Sequence, residues 1–535
     1  MTTTIVELEN RIRENLNTYS PWNFELEFDQ KNLKKLLLQS LFNDYDNVLE
    51  NVNTLWLNTT QNFIKCYRLK VSILKNSKNK NNYNDKRKLF EQFLKFLNFE
   101  INFYRDLLKR ILTKFNLSDW EWLLADLNNI VNDYNISHSS NDVRSDLLDL
   151  DYSHSINDDS NDNIDVHLLQ LSVYKILIYF GDLFRYYELY NQSRDHIRNF
   201  SKVLNVYTLA FKFDPSQGQH FNQISVINSY EGDLLSEVYH YFRSLSSKSP
   251  FMTSLNNLKG LFKKHLSTSN DHNDDFDRFM SLYLNLLGML FLNKNSKLDL
   301  SDNLNECLQL FRKLLSFNKF SSDQLLKMNV INFSLYYHSK TYRDTDIDHI
   351  KSQNKMLLNN DSRKIFIHKF TLKFISCVLE SVNESFGENN EDDDESNEDI
   401  KLASNLTTNL KRCIDSLRLF SFFLKSNENF HIKELKRSKS NTIPLFWKTL
   451  NESLIIFSRK FSNGTDENDN IHSFENDKEF IYYSPFKHFN FISISNNDNN
   501  NNHPNIELIE KVHDFIHVIN LIKNSLPFTS NDNSQ

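Results

Sequence analysis

The residues best placed for chemistry lie inside one helical pattern, "ILIYFGDLFRYYELYNQ", from Ile176 to Gln192. Apolar residues recur at Ile176, Leu177, Phe180, Leu183 and Phe184, the spacing of one helix face. Asp182, Arg185, Tyr186 and Tyr187 interrupt that face. One reading pairs Asp182 with Arg185, one turn apart on a wet surface. The other has Arg185 and Tyr186 lining a groove that holds an anion. The surrounding chain has to decide between them.

Two basic stretches could contact nucleic acid. One runs through Lys65, Arg68, Lys70, Lys75, Lys78, Lys80, Lys86, Arg87 and Lys88, with Tyr67 and Tyr83 nearby to stack on bases. The other is "KELKRSK", with Lys433, Lys436, Arg437 and Lys439. Each is dense enough to neutralise several phosphates, although a solvated basic face is the commoner meaning of such runs. Catalytic constellations do not form. His513 and His517 stand one turn apart without the glutamate of a zincin, and read as a surface pair. The four cysteines are scattered, and no two of the seven glycines are close enough for a phosphate-cradling loop. The expectation is a non-enzyme that uses no metal, no cofactor and no small-molecule substrate.

The elements that must carry these residues are helices. With only seven prolines, and none between Pro21 and Pro215 or between Pro250 and Pro444, there are too few turn residues for a β-rich chain. The fold class is therefore all-α. The N-terminus, "MTTTIVELENRIRENL", lacks the apolar run of a signal peptide, and no apolar run reaches the length of a membrane span. No membrane association is expected. A net charge of −7 leaves any nucleic-acid contact to local patches.

Long helices fill the first half, broken at 135–163 by an acidic, aperiodic stretch that reads as a mobile loop. Tyr207 and Tyr241 are 34 residues apart and Pro215 and Pro250 are 35 apart, the tetratricopeptide period. The pattern predicts a first helical domain over 1–270 and a second over 271–461 carrying an acidic insertion at 386–399. Residues 462–535 read as a mostly disordered, Asn-rich tail with one short helix.

Residues 171–265 resemble one family closely through "YKILIYFGDLFRYYE", "YTLAFKFDPSQGQHFNQISVI", "GDLLSEVYHYFRSLSSKSPF" and "SLNNLKGLF". "LWLNTTQNFIKCYR" before them and "LLKMNVINFSLYYHSK" after them extend the likeness to about residues 50–340. The family is that of the ever-shorter-telomeres and SMG proteins, telomerase-associated and nonsense-mediated-decay factors. The resemblance implies a 14-3-3-like domain with tetratricopeptide-like hairpins, followed by a second helical-hairpin domain. It implies a phosphopeptide or partner groove in which Arg185 offers a guanidinium fork, Tyr186 a hydroxyl and Asn222 an amide. The family's lysine, five residues past Trp56, is Gln61 here, so Lys65 or Arg68 must supply the missing charge, Arg68 being the better placed. Arg185→Glu is then expected to abolish a partner contact and leave the fold intact.

Some relatives end in a nuclease domain, and the polar segment after 462 carries no such pattern. The resemblance implies a non-catalytic telomerase subunit in the nucleus, at telomeres. It would bind telomerase RNA and the catalytic subunit, bridge to a telomere single-strand-binding protein and contact telomeric single-stranded DNA. The alternative is a cytoplasmic mRNA-decay adaptor that reads a phosphorylated Upf-type helicase. Gln61 and the chain's extent favour telomerase.

Overall fold

A computed structural model describes residues 2–43, 47–76, 83–132, 165–192, 197–267, 274–292, 297–341, 360–387, 402–428, 441–461, 471–486, 489 and 504–525. These residues are helical, and the β pairing among them is one isolated bridge between Gln217 and Ser249. The chain divides into two compact units, Met1–Asp214 and Pro215–Gln535. The division falls at 214 rather than at 270, because a repeat period counts helix hairpins and does not say which hairpins share a core.

The first unit holds α1 (Thr2–Thr18), α2 (Phe24–Asn43), α3 (Val48–Leu55), α4 (Asn62–Asn76), α5 (Tyr83–Lys114), α6 (Trp122–Asn132), α7 (Val166–Tyr190) and α8 (Ser201–Phe213). Between α3 and α4 the helix widens into a π turn, Trp56–Gln61. Asp165 caps α7, its carboxylate accepting the His167 amide. α7 packs on α3, α5 and α8, which is why it is buried on nearly every side. Trp56 anchors this packing, stacked face to face on Tyr179 at 4.3 Å and edge-on to Tyr104 at 5.7 Å.

The second unit holds α9 (Gln219–Glu231), α10 (Leu234–Leu245), α11 (Thr253–Leu266), α12 (Asp275–Leu292), α13 (Lys297–Ser316), α14 (Ser322–Thr341), α15 (Asn360–Gly387), α16 (Thr408–Ser426), α17 (Thr442–Phe461) and α18 (Pro504–Ser525). Sequential hairpins pack side by side around one continuous core. α9 stops at Gly232, whose φ of 78° is the left-handed conformation that glycine adopts without a Cβ penalty. Asp233 then caps α10 through the Ser236 amide.

The C-terminal reading is corrected here. Within 462–535, the described residues 471–486 and α18 are integral to the second unit. Phe480, Tyr483 and Phe486 are 3%, 1% and 1% exposed, and α18 packs on α16 and α17 through Val512, Phe515, Val518, Ile519 and Ile522. The acidic loop at 135–163 and the insertion beyond Gly387 lie outside the described residues.

Candidate functional site

α7 presents Arg185 and Tyr186 one residue apart, and α4 brings Arg68 to the same ring. The guanidinium carbons of Arg185 and Arg68 lie 4.6 and 5.4 Å from the Tyr186 ring centre. Arg68 Nη1 donates to the Tyr186 hydroxyl at a long 3.4 Å. Arg185 Nη2 donates to Asp182 Oδ1 at 2.8 Å, while its buried Nε has no hydrogen-bond partner among the described residues. Tyr207 donates its hydroxyl to the same Asp182 oxygen at 2.8 Å. Burial by itself would lower the Arg185 pKa, but the Asp182 carboxylate, with Tyr207 and Tyr186, overrides it and raises that pKa well above its usual value. Arg185 therefore stays charged.

The Asp182–Arg185 pair exists, but it is buried, with side-chain exposures of 12% and 9%. A glutamate at 185 would set two carboxylates together out of water, so Arg185→Glu is expected to damage the fold rather than spare it. Gly181 makes this arrangement possible. A Cβ there would stand 2.1 Å from the Tyr207 ring, so only glycine lets the ring slide over α7 to reach Asp182. Gly181→Ala is expected to destabilise the first unit by about 1–3 kcal/mol through overpacking, measurable by urea unfolding. Unchanged stability would mean that Tyr207 is not held where it appears.

Lys65 is exposed one turn before Arg68 on α4, and Gln61, half-buried, closes the π turn. Beneath that turn sits a network that sequence reasoning missed. Lys34 Nζ is 2.6 Å from Glu100 Oε1, with both side chains 0% exposed. Glu100 Oε2 accepts from Thr60 at 2.8 Å, and Gln30 donates to the Thr59 carbonyl. Thr59 turns its hydroxyl back to the Leu55 carbonyl at 2.7 Å. A π turn inserts one residue and rotates the helix beyond it, so these bonds hold the turn that ends at Gln61 and set the direction in which α4 carries Lys65 and Arg68. The signal was available: Lys34 falls on the row Leu26, Leu33, Leu37, Leu41 that forms the buried face of α2.

Asn222 belongs to the second unit. It is 4% exposed, and its carboxamide oxygen accepts from Ser254 at 2.9 Å and Asn257 at 3.1 Å, tying α9 to α11. Of the basic residues, Lys75, Arg87 and Lys88 are exposed, Lys86 is half-buried, and Arg87 pairs with Glu91 at 2.8 Å. Lys78, Lys80, Lys433, Lys436, Arg437 and Lys439 lie outside the described residues, as does the Tyr83 side chain. Among the described residues no three His, Cys, Asp or Glu groups converge as metal ligands, and no helix is long and apolar enough to cross a membrane.

Two buried arginines organise the second unit's C-terminal segment. Arg243, in the "HYFRSL" phrase, donates to Glu479 at 3.2 Å and lies 4.7, 4.8 and 4.6 Å from the rings of Phe221, Phe480 and Tyr483. Arg418 grips Asp477 through both Nη atoms at 2.7 and 2.9 Å and Asp514 through Nε at 2.8 Å. Asp514 in turn accepts from His472.

With this arrangement in view, comparison with known proteins is decisive. Residues 203–490, more than half of the chain, match the family described as the Est1 DNA/RNA binding domain. The chain belongs to the Est1 family. Residues 50–191, which include Arg68, Arg185 and Tyr186, match the family described as telomerase activating protein Est1. Among curated relatives, this Est1-family chain is 27% identical over 184 residues to the nonsense-mediated mRNA decay factor SMG7 of Danio rerio, covering 34% of the chain and 15% of that protein. It is 31% identical over 94 residues to the telomerase-binding protein EST1A of Danio rerio, covering 18% and 6%. The matched regions are therefore a small part of these relatives. A crystal structure of Est1 and Cdc13 aligns with a TM-score of 0.61 at 14% identity, over 97% of this chain and 96% of that one, and so shares the fold.

Proposed function

We propose that this chain is a non-catalytic telomerase subunit that binds telomerase RNA and brings the catalytic subunit to chromosome ends through a telomere single-strand-binding protein. In this reading it works in the nucleus, at telomeres, and also touches telomeric single-stranded DNA. The observation that carries a docking role is the pair of guanidinium groups on one tyrosine ring. Arg68 and Arg185 bring two guanidinium groups to the Tyr186 ring, beside its hydroxyl and the Asp182 carboxylate. Such a site suits an acidic or phosphorylated segment of a partner. The order of the family matches supports the telomerase assignment, as does the fold shared with Est1 in a structure that also contains Cdc13.

Arg68 is the clean test, because it is exposed while Arg185 is buried. Arg68→Glu is expected to abolish binding of an acidic or phosphorylated partner peptide, with a thermal midpoint within the small range of surface substitutions. Binding that survives would remove the groove from the mechanism. The broader test is to crosslink the tagged protein to RNA in its own cells and sequence the RNA recovered. One dominant non-coding RNA, the telomerase RNA, is expected.

The likeness to SMG7 supports a second reading, an mRNA-decay adaptor. Broad mRNA recovery, or none with an Upf-type helicase co-purifying, would establish it in place of the first.

A further inference from the structure

α4 (Asn62–Asn76) meets its surroundings on several sides. Its inner row, Phe63, Ile64, Tyr67 and Val71, is buried in the first unit, and Arg68 reaches toward Tyr186. A third side faces α1. Asn58, just before α4, donates to Glu9 at 2.7 Å, and the Cys66 thiol donates to the Leu16 carbonyl at 3.4 Å. Leu69 and Ile73 follow Cys66 at three and seven residues, on that same helix face. α1 ends at Thr18 and leaves them 62% and 59% exposed. Singly scattered surface leucines need no explanation, but these two are one turn apart and continue a row that another helix already covers.

The charge around the pair has one sign on α4. From Asn51 to Asn84 the chain contains no Asp or Glu. Lys65 stands one turn before Leu69, and Lys70 stands beside it, exposed and half-exposed respectively. Neither has a carboxylate partner among the described residues, and nor does Lys75 at the end of the helix. The acids of α1 and α2 on this side are engaged elsewhere: Asp29 accepts from Arg11 at 2.7 Å, Glu9 from Asn58, and Glu27 lies beside Lys31.

We propose that Leu69 and Ile73 anchor a docking site for an acidic amphipathic helix of a partner protein, laid along α4 where α1 stops. Apolar residues three or four apart on the partner cover Leu69 and Ile73, and carboxylates on its flanks meet Lys65 and Lys70. The charges choose among occupants. A second copy docked by the same face about a two-fold axis would set these lysines against their own counterparts. A nucleic-acid strand would meet an aliphatic centre, and Tyr67, the aromatic residue of this helix, is 2% exposed and closed to a base. This site goes beyond the telomerase reading and is separate from the Tyr186 groove.

The test selects peptides of about 16 residues, four to five helical turns, from a random phage library on the full chain. The library is first depleted on the double variant Leu69→Ser, Ile73→Ser, which keeps the Tyr186 groove and so removes peptides that bind there. The peptides recovered on the wild type are expected to carry paired apolar residues flanked by Asp or Glu. By fluorescence anisotropy the double variant should bind them about tenfold or more weakly, as for loss of a central anchor, with its thermal midpoint unchanged. Lys65→Gln should weaken binding at low salt and have little effect at high salt. Recovered peptides with no acidic bias, or none that tell the two proteins apart, would overturn the proposal. A lower thermal midpoint in the double variant would also overturn it, because the pair would then serve the fold. A wild-type dimer in sedimentation that the double variant dissolves would make a second copy the occupant. Loss of oligouridine binding in the double variant would make it RNA, and the acidic helix would fall in either case.

Discussion

Arg418→Ala is expected to destabilise the second unit by about 3–5 kcal/mol, because it strands two buried carboxylates. Arg418 is the cation between Asp477 and Asp514, at 2.7 and 2.8 Å, with side-chain exposures of 5%, 9% and 2%. Its guanidinium also fills the space beside Phe422 and Phe474. The three groups come from α16, from the turn at Glu475–Phe480 and from α18, so one side chain ties the C-terminal segment to the helical core. Urea unfolding should show a lower midpoint, and limited proteolysis should release the segment around 471–486 first. Loss of stability without such release would mean that Phe480, Tyr483 and Phe486 hold the segment without help from charge. The triple change Arg418→Met, Asp477→Leu, Asp514→Leu should recover much of the stability, since a buried ionic cluster replaced by apolar groups of similar volume is often neutral.

The same cluster carries a pH dependence. His472 has a raised pKa, chiefly because it donates to Asp514. A pKa higher in the folded than in the unfolded state means that the folded protein holds the proton more tightly. This contribution is complete below the ordinary value of 6.5 and disappears as pH rises through the folded value. His472→Gln should therefore lower stability below pH 6.5, remove the decline that follows as pH rises through the folded value, and leave stability above that value unchanged.

Lys34→Ala should act as strongly on the first unit, costing about 3–5 kcal/mol, because it leaves the buried Glu100 carboxyl without its cation partner in a site closed to water. The ammonium of Lys34 lies 4.0 Å from the centre of the Phe103 ring and 2.6 Å from Glu100. Lys34→Met with Glu100→Leu should cost far less than either single change. The informative comparison is with Arg68→Glu. If the buried network aims α4, the double variant should stay folded by circular dichroism and still lose affinity for a phosphorylated or acidic peptide. If its affinity is unchanged, Thr59 and Thr60 maintain the π turn without the ion pair beneath them.

Much of the fold was legible because helices announce themselves. Spaced apolar residues and the scarcity of proline and glycine were enough for an all-α chain, and "LWLNTTQNFIKCYR" marked the Trp-anchored helix correctly. The π turn inside that phrase was not legible, because its cause lies in Gln30 and Glu100 on other helices. Lys34 could have been found, since it falls on an apolar row. The 471–486 segment could not be found by period. Its aromatic residues occupy short 3-10 turns with no helical repeat, and they pack against residues more than 100 positions earlier, as Tyr483 does in donating to the Val330 carbonyl.

The sequence alone determined the helical class, the resemblance to telomerase and decay factors, and the types of residue available to hold an anion: Arg185, Tyr186, Arg68 and Lys65. Tertiary structure alone decided which of these stand together. Arg185 is buried against Asp182, Arg68 crosses from α4 to share its tyrosine, and Asn222 is committed to Ser254 and Asn257 in the other unit. The reason is physical. Residue type and local period act over a few turns of chain, whereas burial and charge pairing depend on which distant helices meet, and that is settled only when the whole core closes.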